Sequence, residues 1–354
     1  MKRSPAWLTV AVLVASLLGA LLTAVVQRSA VAPTARAELT NGPGLTVTVD
    51  TNGTGGAYAA VSGGLRPDRR VHVLVDGRYP LLLASPRSVK GTYDHLSIDL
   101  PQGGWTEAID RVDADGFAAA MRNDPGSVAV VSSGALPDTV LGPANDWAPV
   151  RDFLRGGGEL VFIGDGAFYW AANRNTSTFT LSNRHERIDW VGEQSVLGGH
   201  VVDDVAGRNL DGTVFATTRT TASRSLGIAY TVATHGALLS QLTAMGGWDL
   251  GYDTTAAHPR SSLAVVPVGA GRLVLFGGGV YEAETSIDED ISRVLLSGSD
   301  IAPPSVVADA VVPAHTTRAL DLSAPTASTD GARVLVYQEN AFPYFHTTVR
   351  VPRR

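Results

Sequence analysis

The chain contains no cysteine. That single absence excludes disulfides, thiolate zinc sites and any cysteine nucleophile. Lysine is nearly absent too: of 28 basic residues only Lys2 and Lys90 are lysines. This reads as the codon bias of a GC-rich genome and carries no functional weight. There is no basic block, and the net charge is −6. A nucleic-acid surface needs clustered Lys and Arg to neutralise phosphates, so nucleic acid is excluded as a partner. Internal repeats and low-complexity blocks are also missing. What remains is a globular composition, 44% hydrophobic and 18% charged over 354 residues. That is enough for one large domain or two smaller ones plus a targeting segment.

The one long apolar run is "AWLTVAVLVASLLGALLTAVV", Ala6 to Val26, which has no charge and follows Lys2 and Arg3. As a helix it would span about 32 Å, one hydrocarbon core. The two basic residues favour the cytoplasmic side, which places the bulk of the chain outside. Ala35-Arg36-Ala37 has the form of a cleavage site just downstream. The segment is therefore read as a single-pass signal-anchor, or as a signal whose removal after Ala37 would release a secreted protein.

Residues 27–43 read as a linker, small, polar and without apolar periodicity. "GLTVTVD" (44–50) and "AYAAVSGGL" (57–65) read as strands, as does "RRVHVLVDG" (69–77), an apolar run suited to burial on both faces. "YDHLSIDL" (93–100) is another strand candidate. "ADGFAAAMRN" (114–123) predicts a helix with Asp113 or Asp115 at its N-cap. "GSVAVVSSGALP" stops as a strand at Ser-Ser-Gly; "NDWAPVRDFLRGGG" predicts a helix capped by Asn145 or Asp146, and "ELVFIGDG" the next strand. Strand, helix, strand at this spacing is a βαβ unit of a parallel sheet. "GALLSQLTAM" (236–245) predicts a helix, and "SSLAVVPVGAGRLVLFGGGV" two strands joined at Gly-Ala-Gly. A last helix, "SIDEDISRVLLSG", is expected to be capped by Ser286 with Glu289 three residues later. Beyond "APPS" come four short strand candidates, a β unit of roughly 50 residues that is marginal alone. It is expected to pack on the main domain or to pair with the strands near Leu45.

"VAVVSSGALPDTV" followed by "WAPVRDFLRGGGELVFIGDGAFYW" resembles the central part of class I glutamine amidotransferase-like domains. "VGAGRLVLFGGGVYEAE" is similar to the late hairpin of that fold, above all in its non-catalytic, membrane-associated relatives. The resemblance is a pattern of glycines and apolar runs. It implies an α/β three-layer, flavodoxin/amidotransferase-like parallel sheet, and fold alone does not carry function. The family's elbow is G-x-C-x-G. Here Gly164-Asp165-Gly166-Ala167-Phe168 takes its place, with Gly166 where the cysteine would stand and Phe168 where the last glycine would. The companion His-x-Glu is also missing, because Val280-Tyr281-Glu282-Ala283-Glu284 holds no histidine. Thiol chemistry needs a thiolate and its base, so the family's hydrolysis is excluded.

Ligands of open parallel sheets bind outside the carboxyl ends of the strands. That rule selects Asp76, Ser132, Ser133, Asp165, Glu282 and Glu284. Asp165 with Glu282 is the carboxylate pair to test for acid/base work. The competing reading of Asp165 is a turn or helix cap. "VSSGA" is not a serine-hydrolase elbow, and its two serines suit local turn hydrogen bonds. His200 with Asp203 and Asp204 has no further ligand nearby and reads as a solvated loop, so no metal is expected. Phe168, Tyr169 and Trp170, with Trp248, Tyr252 and Tyr281, suit either a sugar or peptide platform or a buried lid.

The expected organisation is residues 1–37 as signal-anchor and linker, 38–300 as the α/β domain and 301–354 as a C-terminal β unit. The expected function is a non-catalytic, extracytoplasmic binding or scaffolding protein of the cell envelope, held by its N-terminal membrane helix and using no cofactor. Glycan, peptide or envelope protein are its expected partners. The alternative is a carboxylate-dependent hydrolase of envelope glycans or peptides. The ligand-binding candidates are Asp76, Ser132, Ser133, Asp165, Tyr169, Trp170, Tyr281 and Glu282, and no catalytic residue is assigned.

Overall fold

The computed structural model describes residues 34–39, 44–50, 57–62, 68–81, 86–142, 147–164, 170–174, 178–181, 215–216, 218–219, 232–233, 237–252, 260–277, 285–296, 310–312, 317–323, 333–338 and 346–350. The chain divides into two compact units, one made of Met1–Val61 with Val307–Arg354 and the other of Ser62–Val306. The first thus draws on both ends of the chain, and residues 38–61 belong with the C-terminal strands rather than with the α/β unit. It opens with β1 (Thr34–Leu39), β2 (Gly44–Asp50) and β3 (Ala57–Ser62).

The second unit begins with β4 (Val71–Leu74), α1 (Pro86–Gln102), β5 (Ile109–Val112), α2 (Ala114–Asn123) and β6 (Val128–Val131). Next come β7 (Leu136–Pro137), α3 (Asp138–Leu141), α4 (Ala148–Arg155) and β8 (Glu159–Gly164). Five short strands follow: β9 (Trp170–Asn173), β10 (Thr178–Leu181), β11 (Phe215–Ala216), β12 (Thr218–Arg219) and β13 (Val232–Ala233). The unit closes with β14 (Ala237–Leu238), α5 (Leu239–Ala244), β15 (Trp248–Tyr252), β16 (Arg260–Val268), β17 (Gly271–Gly277) and α6 (Thr285–Leu296).

The main sheet is nine-stranded, in the order β12-β15-β16-β17-β8-β6-β4-β5, with β14 on β16. From β17 to β5 every pairing is parallel; the β16–β17 hairpin and the strands beyond it are antiparallel. This is a mixed α/β fold around a parallel core. Both sheet faces are buried, as the continuous apolar runs require. Leu74, Ala129, Val131, Leu160 and Phe162 share one core with Phe117 and Met121 of α2 and Val150 and Phe153 of α4. The alternate residues Val73, Val130, Val161 and Val274 are buried on the opposite face, and α1 packs on α6. At the amino end of the sheet Glu159 is fully buried, with Arg69 on one carboxylate oxygen and Arg272 on the other at 2.7 Å.

The segment read as a strand over Tyr93–Leu100 is part of α1. Its buried positions are Val89, Thr92, Leu96 and Leu100, a spacing of three and four, while Ile98 is 55% exposed. A period-two strand would have buried Ile98 with its neighbours two residues away, so the helical period won. α2 has the expected cap: the Gly116 N–H donates to Asp113 Oδ1 at 2.9 Å. In α4 the N-cap is Trp147, whose side chain makes no capping hydrogen bond, and Asn145 and Asp146 lie outside the described residues. α6 starts at Thr285, so Ser286 falls inside its first turn.

The chain ends in β18 (Ala310–Val312), β19 (Thr317–Ser323), β20 (Arg333–Gln338) and β21 (His346–Arg350). In the first unit these complete two sheets, β1-β2-β19 and β18-β3-β20-β21. β19 pairs antiparallel with β2, Leu322 opposite Leu45 and Leu320 opposite Val47. Part of the segment read as a linker is β1, paired along its length with β2. "TARAEL" has little apolar alternation; ladder hydrogen bonds to a partner hold such an edge without it. No helix among the described residues is long and apolar enough to cross a membrane; the expected span, Ala6–Val26, lies outside them.

Candidate functional site

The chain runs from β4 outward to β5, then crosses back to β6 on the other side of β4. The connections leaving β4 and β6 therefore diverge, which makes their carboxyl ends the topological switch point, where ligands of such sheets bind. Asp76, Ser132 and Ser133 all lie there, two residues past β4 and directly after β6.

Asp76 opens a tight turn. Its Oδ1 accepts the Arg78 N–H at 2.9 Å, an Asx-turn, and its carboxylate takes the Arg78 guanidinium through Nε at 2.8 Å and Nη2 at 2.6 Å. Oδ2 also accepts the Ala114 N–H at the start of α2, at 3.1 Å. The side chain is 4% exposed. The bond to Arg78 above all, helped by the two backbone N–H groups, holds this carboxyl down at about 2. Such a group is ionised at any ordinary pH and serves as a clamp between the β4 loop and α2.

Arg78 reaches onward to Asp113 at 3.0 Å and Asp115 at 3.4 Å. Arg174, just past β9, takes Asp115 at 3.1 Å, and its N–H donates to Asp138 Oδ2 at 3.3 Å. The Tyr79 hydroxyl donates to Asp138 Oδ1 at 2.7 Å; burial and then that carboxylate push the phenol up to about 12. Sequence reasoning missed Arg78, Tyr79, Asp113 and Asp115 as site neighbours, and Asp138 and Arg174 altogether. Only "DGRY", an Asx-turn followed by an aromatic, carried a local signal for the first two.

Ser133 Oγ donates to the Ala135 carbonyl at 2.9 Å, a local turn bond. Ser132 is buried, and its Oγ has no hydrogen-bond partner among the described residues. Behind these serines, Gly134 (φ 77°) lies against Gly164 (φ 156°) at the end of β8. A Cβ on Gly164 would sit 2.5 Å from Gly134 Cα, so the end of β8 meets the serine loop backbone to backbone. Leu74, Asp76, Tyr79, Ser133, Pro137 and Ala172 help line a cavity of about 10 Å³. That is room for about one water, where ligand pockets run to hundreds of cubic ångströms.

Trp170 opens β9, opposite Leu181 of β10, and β9 runs parallel to β7 at this end of the sheet. Asp165, Tyr169, Tyr281, Glu282 and Glu284 lie outside the described residues, as do His200, Asp203 and Asp204. Among the described residues no three His, Asp or Glu side chains are placed to hold a metal.

No family model matches the sequence, and no curated protein does. Among solved structures, a cytoplasmic protein from Salmonella typhimurium LT2 is 14% identical, with 64% of this chain and 98% of that one covered and a TM-score of 0.35. A β-galactosidase from Rahnella sp. R3 is also 14% identical, with coverages of 81% and 40% and a TM-score of 0.36. An exo-β-1,4-mannosidase from Opitutaceae bacterium strain TAV5 is 11% identical, with coverages of 65% and 35% and a TM-score of 0.35. The chain spans less than half of either glycosidase, and scores at this level carry no argument about fold or function.

Proposed function

We propose that the chain is a membrane-anchored, extracytoplasmic binding or scaffolding protein of the cell envelope. Its α/β unit is a flavodoxin/amidotransferase-like sheet with the family's nucleophile replaced by glycine. The strand order supports the fold reading: numbered by sequence, the parallel strands run 2-1-3-4-5, the flavodoxin-like order. β8, which precedes the glycine read as the elbow, lies between β6 and β17, and the antiparallel β16–β17 hairpin is in keeping with this reading. The observation that carries the binding reading is the state of Asp76. This carboxylate at the switch point is tied to Arg78 and the start of α2, and it keeps its charge. A general acid or base must exchange a proton near working pH, and Asp76 is held far from that. The ion network leaves half-exposed guanidinium and carboxylate groups around the switch point, suited to hydroxyl-rich or peptide ligands.

One observation favours the hydrolase as a second reading. β8 and β17 are parallel neighbours whose last residues, Gly164 and Gly277, are register partners. The strand ends that precede Asp165 and Glu282 in the sequence therefore lie side by side.

The test is thermal unfolding of the full chain in detergent against glycans, cell-wall fragments and peptides. Mass spectrometry of each ligand afterwards separates binding from turnover. Binding predicts a stabilisation of about 2.7 kcal/mol at 100 times Kd, with the ligand recovered intact. Cleaved ligand, lost in both Asp165→Asn and Glu282→Gln, would establish the hydrolase instead.

A further inference from the structure

α1 and α6 meet closely. A Cβ on Gly103, just past α1, would come within 2.4 Å of a Leu296 methyl, and one on Gly91 would be 4.0 Å from Asp288 Oδ2. Into this seam the helices bring Thr92, His95 and Asp99 from α1 and Asp288, Glu289, Asp290, Ser292 and Arg293 from α6. Thr92, Glu289, Asp290, Ser292 and Arg293 are all buried. Arg293 binds Asp290 Oδ1 at 3.0 Å and Glu289 Oε2 at 3.3 Å. Asp99 and Asp288 meet hydroxyls instead: Ser292 Oγ lies 3.4 Å from Asp99 Oδ2, and Thr92 hydrogen-bonds Asp288. Among the described residues, Asp99 of α1 and Asp288 and Glu289 of α6 thus gather at the helix–helix interface beside His95, while Arg293 pairs Glu289 and Asp290 along α6 itself. Fully ionised, the carboxyls would crowd negative charge where water cannot screen it.

We propose that the α1–α6 seam is a proton-dependent latch: protonated carboxyls hold the helices together, and ionisation loosens α6. The titration behaviour of the seam agrees with its geometry. Burial pushes Asp288 up to about 6 and Glu289 up to about 7, and it raises Asp99 as well. These are raised carboxyls, so the closed seam binds protons more tightly than the open one. The stabilisation is complete below the ordinary carboxyl range and is lost as pH rises through about 6 to 7.

Hydrogen exchange on the full chain in detergent at pH 5.5 and 8, corrected for intrinsic exchange rates, tests the latch. The opening constant of α6 amides should rise about tenfold or more at pH 8 while β6 and β8 amides hold. Asp288→Asn and Glu289→Gln together should abolish that rise; if the double variant fails to fold, Glu289→Gln alone should reduce it severalfold. Equal α6 protection at both pH values would overturn the latch. So would an unchanged rise in the variants, or α6 and β8 opening together.

Discussion

The two ends of the parallel sheet handle charge in opposite ways. At the amino end Glu159 lies buried between Arg69 and Arg272, sealed under the strands it joins. At the carboxyl end Asp76 is buried too, but its partner Arg78 is 45% exposed and passes the network on to Asp113 and Asp115 at the surface. A closed triad can only hold strands together. A half-open one holds a loop and still presents guanidinium and carboxylate groups to solvent. The difference puts a sealed ion cluster at one end and a partly open one at the other, which is the end where open α/β sheets hold their ligands.

Three substitutions test that division, beginning with the largest expected effect. Glu159→Ala leaves two arginines facing each other with Arg272 buried, and should cost about 3–5 kcal/mol in a urea melt. A loss below about 1 kcal/mol would mean the amino end is not the anchor. Gly164→Ala drives a methyl onto the Gly134 backbone at a positive φ and should cost about 2–3 kcal/mol. A neutral result there would show that β8 and the serine loop can part without cost. Asp76→Asn should cost only about 1–2 kcal/mol at pH 7, because solvent at Arg78 weakens the pair. Asp76 has a depressed pKa, so its contribution is present above the ordinary carboxyl range and is lost as pH falls through about 2. Wild type and Asp76→Asn should therefore converge in acid; parallel melting curves from pH 2 to 7 would show that the Asp76 charge contributes nothing.

Local signals were legible where one residue's chemistry decided the outcome. Asp113 caps α2, the glycine turn joins β16 to β17, and the β6–α4–β8 segment forms a parallel βαβ unit. α1 was not legible, because Leu96, Ile98 and Leu100 read equally well at period two; burial against α6 chose the helix and left Ile98 outside. The switch-point serines and Asp76 were legible as a location, since strand ends can be read from apolar runs that stop. Their partners were not, because Asp113, Asp115, Asp138 and Arg174 come from three further segments, and no local pattern says which loops share one end of a sheet.

By itself the sequence determined the missing thiol, the parallel α/β core and the places where strands end. These depend on composition and on periodicities that each segment carries alone. Tertiary structure decided that Asp76 is a clamp, that Glu159 is sealed between two arginines, and that both chain ends share one β unit. Each depends on residues far apart in the chain meeting where burial makes an ion pair or a ladder worth its ordering cost, and that meeting is a property of the packed whole.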